Sequence, residues 1–371
     1  MTAFLPLTLG SLIQDASVRV ERAAAELRAG RPVVVVSEGE RLAIVSLDTV
    51  TGKLLDAFVE AADRTARLYL TPARAGVIGL DAPTGASLPF EGLDHEAARR
   101  IGYLREGSYA GGFEPGTAAA ELGAQIAKLA LLLPAIVTAD AGEDGKGPFS
   151  GCVEVSRDDI EDAFDVAASD FALLTRTTVP LRDIGDCEFV MFRGGLAQRD
   201  QLAIVVGHPD YSDTVPVRVH SSCITGDLFG SLKCDCGDQL RYGLEQLKAL
   251  GGGIMLYLDQ EGRGTGLASK MRAYGYQAEG LDTVDADAEL GFGADERRYE
   301  AAVAMLRKLG IAKVRLLTNN PSKIAWLKAA GIEVVERLPL LGRTTTQNLH
   351  YLETKTRRSG HMLDVEALRA S

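Results

Sequence analysis

Long apolar runs are missing from this chain of 371 residues. Its most hydrophobic stretch, Ile126 to Ala139, contains Lys128 and Pro134 and falls short of the ~20 apolar residues that a helix needs to cross a bilayer. No membrane partner is expected. The opening residues MTAFLPLTLGSLIQDASVRVER carry no basic segment ahead of an apolar run and no small-residue cleavage site, so no signal peptide is expected and the default location is cytoplasmic. Positive charge is not in excess either, because 40 Lys+Arg stand against 51 Asp+Glu, a formal charge of −11. Affinity for a nucleic-acid backbone draws on clustered cations, so no nucleic acid partner is expected. Residues 201–371 hold 21 cations and 21 anions. The whole deficit therefore lies in the first 200 residues, and the neutral second half is the better place for a small anionic ligand.

Proline is modest at 13 residues and aromatics at 6%, while the hydrophobic fraction of 46% is that of a folded globular protein. Collagen, coiled-coil and disordered classes are excluded. Cysteine is scarce and uneven. Cys223, Cys234 and Cys236 fall within fourteen residues, whereas Cys152 and Cys187 stand apart. An odd, clustered set is no disulfide framework, and in a reducing compartment such a cluster more often holds a metal.

At roughly 150 residues per domain the length predicts two domains. Ala16 to Gly30 reads as a helix closed by Gly30, and Pro32 opens the apolar run Val33 to Val36. His95 to Leu104 reads as a helix and Pro134 to Ala139 as a strand; Ala139 to Gly151, dense in glycine and charge, reads as a loop. Around Thr175 to Gly195 the pattern changes to short alternating runs broken by Pro180, which places the boundary between residues 1–185 and 186–371. The second half offers strands in LAIVVGHP and VPVRVH, a helix from Gln239 to Ala249, a strand from Ile254 to Leu258, a helix from Ala301 to Leu309 and a strand from Lys313 to Leu317. Helices alternating with apolar strands predict an α+β (mixed α/β) protein of two domains.

The cysteine spacing is C-x10-C-x-C within VRVHSSCITGDLFGSLKCDCGDQL. Three thiolates suit tetrahedral Zn²⁺ with one position left for water, which is a catalytic arrangement. A fourth ligand, with His220 the nearest candidate, would instead close a structural site, and a cluster without metal is the third reading. Downstream lie LDQEGRGTGL, KMRAYGYQ, GLDTVDAD, GFGADERRY and LLTNNPSK. Each has a plain structural reading; TNNPSK, for example, is a helix cap before Pro321. Together they assemble cations (Arg263, Arg297, Lys323), hydroxyls (Thr283, Thr318) and a helix start beside a metal, a set able to bind a triphosphate next to a hydrolytic centre.

The strings RVHSSCITGD, GSLKCDCGDQL, DQEGRGTGL, AYGYQAEGLDTV, LGFGADER and RLLTNNPSK, in this order and spacing, closely resemble GTP cyclohydrolase II, the first enzyme of riboflavin synthesis, over residues 186 to 362. The resemblance implies hydrolysis of GTP to a diamino-ribosylamino-pyrimidinone phosphate, formate and pyrophosphate, with one Zn²⁺ per chain, Mg²⁺ on the triphosphate and a homodimer. It implies Cys223, Cys234 and Cys236 as zinc ligands. It implies GTP contacts at Arg218, Val219, His220, Ser221, Ser222 and Gln239, and further at Glu261, Gly262, Arg263, Thr283, Thr318 and Lys323. Tyr274, Asp295 and Arg297 match the catalytic trio, with Asp295 as proton acceptor and Arg297 acting on the α-phosphate as a nucleophile; a tyrosine at position 274 goes with the full reaction rather than a stop at the formamide. Ser222 stands where many members carry Glu, and Asp285 and Asp287 depart from the commoner DTVEAN, which bears on fine details of GTP contact.

The first half resembles a worn 3,4-dihydroxy-2-butanone-4-phosphate synthase in VERAAAELRAGRPVVVVSEGERLAIVS and LLLPAIVTAD. That family carries an acidic R-E-N-E-G-D loop and a metal-binding histidine. Ser37-Glu38-Gly39-Glu40-Arg41 occupies the place of the loop, and His95 is the only histidine before residue 200. The first domain is therefore expected to be inactive. A bifunctional enzyme, or a non-catalytic GTP-binding regulatory protein, are the alternatives.

Overall fold

The computed structural model describes residues 15–363, except 144–145, 170 and 197–198, and not the side chains of 166–169, 350 and 359. Two compact units result. The first comprises the chain up to Asp165 together with Ala268–Leu281 and Asp285–Asp295, and the second comprises Val166–Leu267, Asp282–Val284 and the chain from Glu296 onward. The division read from the sequence, at 185/186, is a single cut; the packing instead interleaves the two halves of the chain.

The first unit holds a seven-stranded sheet of β1 (Val33–Ser37), β2 (Glu40–Ser46), β3 (Arg67–Leu70), β4 (Ala86–Pro89), β5 (Glu114–Pro115), β6 (Ile136–Asp140) and β7 (Val153–Ser156). Its order is β5-β4-β3-β6-β2-β1-β7, antiparallel apart from β1 with β7. The helix Ala16–Arg28 begins at Asp15, whose carboxylate accepts from Ser17 N, and ends before Gly30 at φ 72°, a left-handed turn that glycine adopts without Cβ strain. The helix His95–Tyr103 and β6 lie within two residues of their expected bounds. Residues Ser37 to Arg41 form a tight β1–β2 hairpin, with Glu38 and Gly39 at φ 52° and 81° between the paired Ser37 and Glu40, the two-residue turn with both central residues left-handed.

Two segments from the second half of the sequence complete this unit's core. Ala273, Ala286, Leu290 and Phe292 are buried in one cluster with Leu55, Leu68, Leu70 and Val137. Arg74 ties them in. It is 1% exposed and donates to the carbonyls of Ile101 (2.8 Å), Leu104 (2.6 Å), Arg100 (3.2 Å) and Glu289 (3.0 Å), while pairing with the Glu289 carboxylate. Thr71 Oγ1 donates to Gly291 O at 2.7 Å, and Arg272 forks onto the Asp48 carboxylate.

The second unit holds β8 (Phe171–Leu181), β9 (Gly185–Gly194), β10 (Arg199–Gly207), β11 (Val215–Ser221), β12 (Gly252–Leu258), β13 (Lys313–Leu317) and β14 (Glu333–Leu338), in the order β14-β13-β11-β12-β10-β9-β8. The strands β12, β11, β13 and β14 run parallel, and the sheet turns antiparallel from β12 through β10 and β9 to β8. Pro180 does not interrupt its strand, because β8 is the edge of the sheet and an edge position tolerates a residue without an N–H. Along β11 the two-residue period sends Val217 and Val219 into the core and Arg218 and His220 to the opposite face.

Removing one partner of a buried, fully bonded ion pair costs about 3–5 kcal/mol, whereas exposed pairs are worth about 0–1 kcal/mol. We expect Arg74→Met to lower the unfolding free energy of the first unit by an amount in the former range, and Arg105→Ala, which breaks the open pair with Glu279, to change it by less than about 1 kcal/mol. Urea unfolding of both variants against the parent chain reads the difference; equal effects would contradict it.

Candidate metal and nucleotide site

The site of the second unit begins where its parallel strands end. β11 stops at Ser221, β12 at Leu258 and β13 at Leu317, and the segments that follow carry Cys223, the turn Glu261–Gly264 and Thr318 to Lys323. Open sheets bind their ligands at the carboxyl ends of parallel strands.

Cys223, Cys234 and Cys236 bring their sulfurs within 4.8 Å of one another, Cys223 and Cys234 to 3.7 Å, and none forms a disulfide. Tetrahedral bonds of ~2.3 Å to a common zinc put sulfurs about 3.8 Å apart, so the spacing fits the ion. Cys236 opens the helix Cys236–Ala249, where the positive end of the helix dipole favours a thiolate. The Cys223 hydrogen bond pushes the Cys234 thiol up to about 11; three sulfurs this close resist ionisation unless a cation compensates. Gly226 lies over the cluster, and a Cβ there would stand 3.0 Å from Cys234 Sγ and 3.2 Å from Cys223 Sγ. His220 is not part of the cluster. Its Nε2 faces the Asp227 carboxylate at 3.2 Å and its ring stacks on Tyr257. Burial lowers its pKa, against the raising effect of Asp227. Asp227 also accepts from Cys223 N (3.0 Å) and Tyr257 Oη (2.9 Å), which fixes the first cysteine's backbone.

Beside the sulfurs is a cavity lined by Arg218, Arg263, Arg297, Lys323 and Lys355, with Thr283 and Thr318 among its hydroxyls. Arg218 is 6% exposed and donates to Leu317 O (2.9 Å) and Gln239 Oε1 (2.6 Å); burial pulls its guanidinium down to about 10, which leaves it protonated at neutral pH. Arg263 lies in the turn Glu261–Gly264 at φ 63°, ψ 30°, a left-handed conformation that a bulky residue keeps only where its surroundings hold it, as functional sites often do. Lys323 Nζ donates to Val219 O at 2.7 Å and lies over the Tyr299 ring. Asn320 caps the helix Pro321–Ala329 by accepting from Ser322 N. The plain capping reading of TNNPSK and the site reading therefore hold together.

Of the expected contacts, Arg218, His220, Ser221, Gln239, Arg263 and Thr283 line the cavity, as do Thr318 and Lys323. Val219 does not line it; its side chain is in the core and its carbonyl accepts from Lys323 Nζ. Ser222 Oγ accepts from Gln260 N (3.1 Å), and Glu261 accepts from Ile224 N (2.6 Å) and Gly262 N (3.0 Å), so both hold the loops around the first cysteine. Arg297 lines the cavity. Tyr274 and Asp295 lie in Ala268–Leu281 and Asp285–Asp295, the segments that pack within the first unit.

The sequence reading singled out nothing beyond Lys323, yet Tyr351, Thr354, Lys355 and His361 also line the cavity. The signal was present, since Tyr351, Thr354 and Lys355 share one face of the helix Leu349–Ser359 at three- and four-residue spacing. Asp235 is buried and lies between Cys234 and Cys236 in the chain; burial raises its carboxyl, but Lys355, a backbone N–H and Gln239 together hold it below the ordinary range.

The GTP cyclohydrolase II family matches residues 173–339. A protein of Xylella fastidiosa (strain 9a5c) named GTP cyclohydrolase-2 is 54% identical over 355 residues, 95% of this chain and 89% of that one. One of the same name from Azospirillum brasilense is 38% identical over 94% of this chain and 95% of that one. The riboflavin biosynthesis protein RibBA of Bacillus cytotoxicus is 47% identical over 183 residues, 49% of this chain and 46% of that one. A solved two-domain 3,4-dihydroxy-2-butanone 4-phosphate synthase from A. baumannii aligns with 87% of this chain and 99% of that one at 16% identity and a TM-score of 0.33, too low to add to the fold.

We expect Cys234→Ser to lose bound metal and activity together. Gly226→Ala, whose added methyl meets two of the sulfurs, should weaken metal retention about tenfold or more, the scale of disturbed ligand support. Chelator competition followed by zinc quantification reads both, and undiminished zinc in Cys234→Ser would remove the cysteines from the metal site.

Proposed function

The chain belongs to the GTP cyclohydrolase II family, and from that membership we propose that its cysteine cluster and cation-lined cavity are the centre at which GTP is hydrolysed to the pyrimidinone phosphate, formate and pyrophosphate. The enzyme is a hydrolase of riboflavin biosynthesis. The observation that supports this placement is the convergence of three sulfurs with Arg218, Arg263, Arg297 and Lys323 in one unit. Cys223, Cys234 and Cys236 would hold a zinc ion. When bound by three protein ligands, zinc keeps a fourth position open and acts as a Lewis acid that lowers the pKa of water.

The protein's own groups bind and orient. Arg263, Arg297 and Lys323 offer fixed positive charge to a triphosphate, and the start of the helix Pro321–Ala329 adds backbone N–H groups. Arg297 serves the α-phosphate, where charge develops as pyrophosphate departs, and Mg²⁺ accompanies the triphosphate. Asp295 accepts and returns protons and Tyr274 supports the later hydrolysis of the formamide. Ser222 supports the loop by accepting from Gln260 N and stands with its neighbours among the proposed GTP contacts. In this reading the protein is a cytoplasmic homodimer acting on a free nucleotide. No helix of the described residues is long and apolar enough to cross a membrane.

We further propose that the butanone-phosphate-synthase-like first domain, residues 1–185, is catalytically silent. A two-residue hairpin at Glu38–Gly39 stands where an acidic metal loop would be needed. Among the described residues the three cysteines are the one group of His, Cys, Asp or Glu side chains close enough to hold a metal, and His95 Nε2 is buried without a hydrogen-bond partner. Relatives aligned over almost the whole chain bear the name GTP cyclohydrolase-2.

Purified protein given GTP and Mg²⁺ should release formate, pyrophosphate and the pyrimidine product; absence of formate would refute the proposal. The same protein given ribulose 5-phosphate and Mg²⁺ should form no butanone phosphate, and formation of it, abolished by changing Glu38 and Glu40, would restore the bifunctional reading. Tyr274→Phe and Asp295→Asn should keep zinc and GTP binding and lower kcat by roughly 10²-fold, as for loss of a positioned acid–base group. A variant that raised only KM would move that residue to a binding role.

A further inference from the structure

The helix Leu349–Ser359 lies beyond the stretch matched by the GTP cyclohydrolase II family, yet it closes one side of the cavity. Its Lys355 is placed unusually. The ammonium is 3.0 Å from Asp235 Oδ1, with side-chain exposures of 19% and 3%, and 4.2 Å from the centre of the Tyr351 ring. A buried ion pair is tolerated only where the remaining polar atoms are also satisfied. Here the other carboxylate oxygen accepts from Gln239 Nε2 at 2.5 Å, and Gln239 Oε1 accepts from Arg218 at 2.6 Å. Lys355, Asp235, Gln239 and Arg218 thus form one chain of charge-assisted contacts from the C-terminal helix to β11.

Asp235 is the single residue between Cys234 and Cys236, and its carbonyl accepts from Gln239 N at 2.9 Å in the first turn of the following helix. The loop after β14 presses on it: a Cβ on Gly342 would stand 2.8 Å from Asp235 Cβ. The Asp235 carboxylate, on the residue between two of the cysteines, adds negative charge to the short turn that carries both thiolates. Left uncompensated, it would turn away from them toward water and carry the Cys234–Cys236 turn with it.

We propose that Lys355 is a positioning residue for the cysteine cluster, holding and neutralising Asp235 so that the Cys234–Cys236 turn and the Gln239–Arg218 wall keep the geometry in which the metal is bound. The inference rests on the reading of the three cysteines as zinc ligands. It differs from a direct role for Lys355 on the triphosphate, which would alter GTP affinity and leave the metal untouched.

The test uses the full chain and two metals. Lys355→Met should lose zinc to a chelator at least tenfold more readily and alter the thiolate-to-metal absorption of the Co²⁺-substituted protein, while Lys355→Arg keeps both near the parent. Adding Asp235→Asn to Lys355→Met removes both charges and should recover most of the lost zinc affinity. The double variant also decides the matter if the single one does not fold. Unchanged zinc affinity and cobalt spectrum in Lys355→Met, with or without a rise in KM for GTP, would overturn the inference, as would a double variant as poor in zinc as the single one. A parent protein that took up neither metal would overturn the zinc reading, and this inference with it; a parent that binds zinc beside an equally competent Lys355→Met would overturn this inference alone.

Discussion

The parallel pairing of β11 with β12 and with β13 is the constraint on which the second unit's chemistry depends. Neighbouring strands lie about 4.8 Å apart, and the register sets Ser221 beside Leu258 and Val217 beside Leu316. Three loops that start near residues 222, 259 and 318 therefore leave the sheet side by side. The first brings Cys223 and, through the short helix Ile224–Asp227, approaches the turn that holds Cys234 and Cys236. The second brings Arg263 and the third brings Thr318 and Lys323. Where the sheet turns antiparallel, from β10 to β8, the strands are joined by hairpins and supply no cavity residue.

Charge within this small volume is managed by pairing. Arg218 is buried and Lys355 half-buried in a protein whose overall charge is −11, and each is tied to Asp235 or to Gln239. Those partners occupy part of their donor capacity and fix their direction. The cations that line the cavity form a positive recess in an otherwise acidic molecule. A low-dielectric recess of one sign concentrates the opposite sign near its mouth and hastens the encounter with a charged ligand, in a manner that added salt weakens.

Much of this was legible from residues alone, for identifiable reasons. β13 matched its expected bounds because KVRLL is a short apolar run between a glycine-ended helix and a capped one. The cysteine spacing pointed to a metal, but it left His220 open as a fourth ligand. Only the two-residue period of β11, with Asp227 seven residues on, turns that ring toward a carboxylate. The strand through Pro180 was hidden because its edge position is a property of the sheet and not of the segment. The helix Thr283–Glu289 was hidden in DTVDADAE, where acidic residues leave no apolar period to mark a helix, although Asp287 and Glu289 are buried. Lys355 was overlooked because a lysine on a charged helix is ordinarily a solvated one, and its partner lies 120 residues away.

The interleaving of the chain bears on how the protein comes into being. Ala273, Leu290 and Phe292 belong to the same buried cluster as Leu68 and Val137, and Glu289 is the counter-ion of Arg74. A nascent chain that has just passed residue 165 has all seven strands of its first sheet but lacks the side chains that seal one part of that core. It must wait, with apolar surface uncovered, until about 130 further residues have been added, a delay of roughly 6 to 26 seconds at ordinary rates of synthesis. Proteins built as beads on a string complete each domain before the next begins; this one finishes its first domain only after most of the second sheet has been translated.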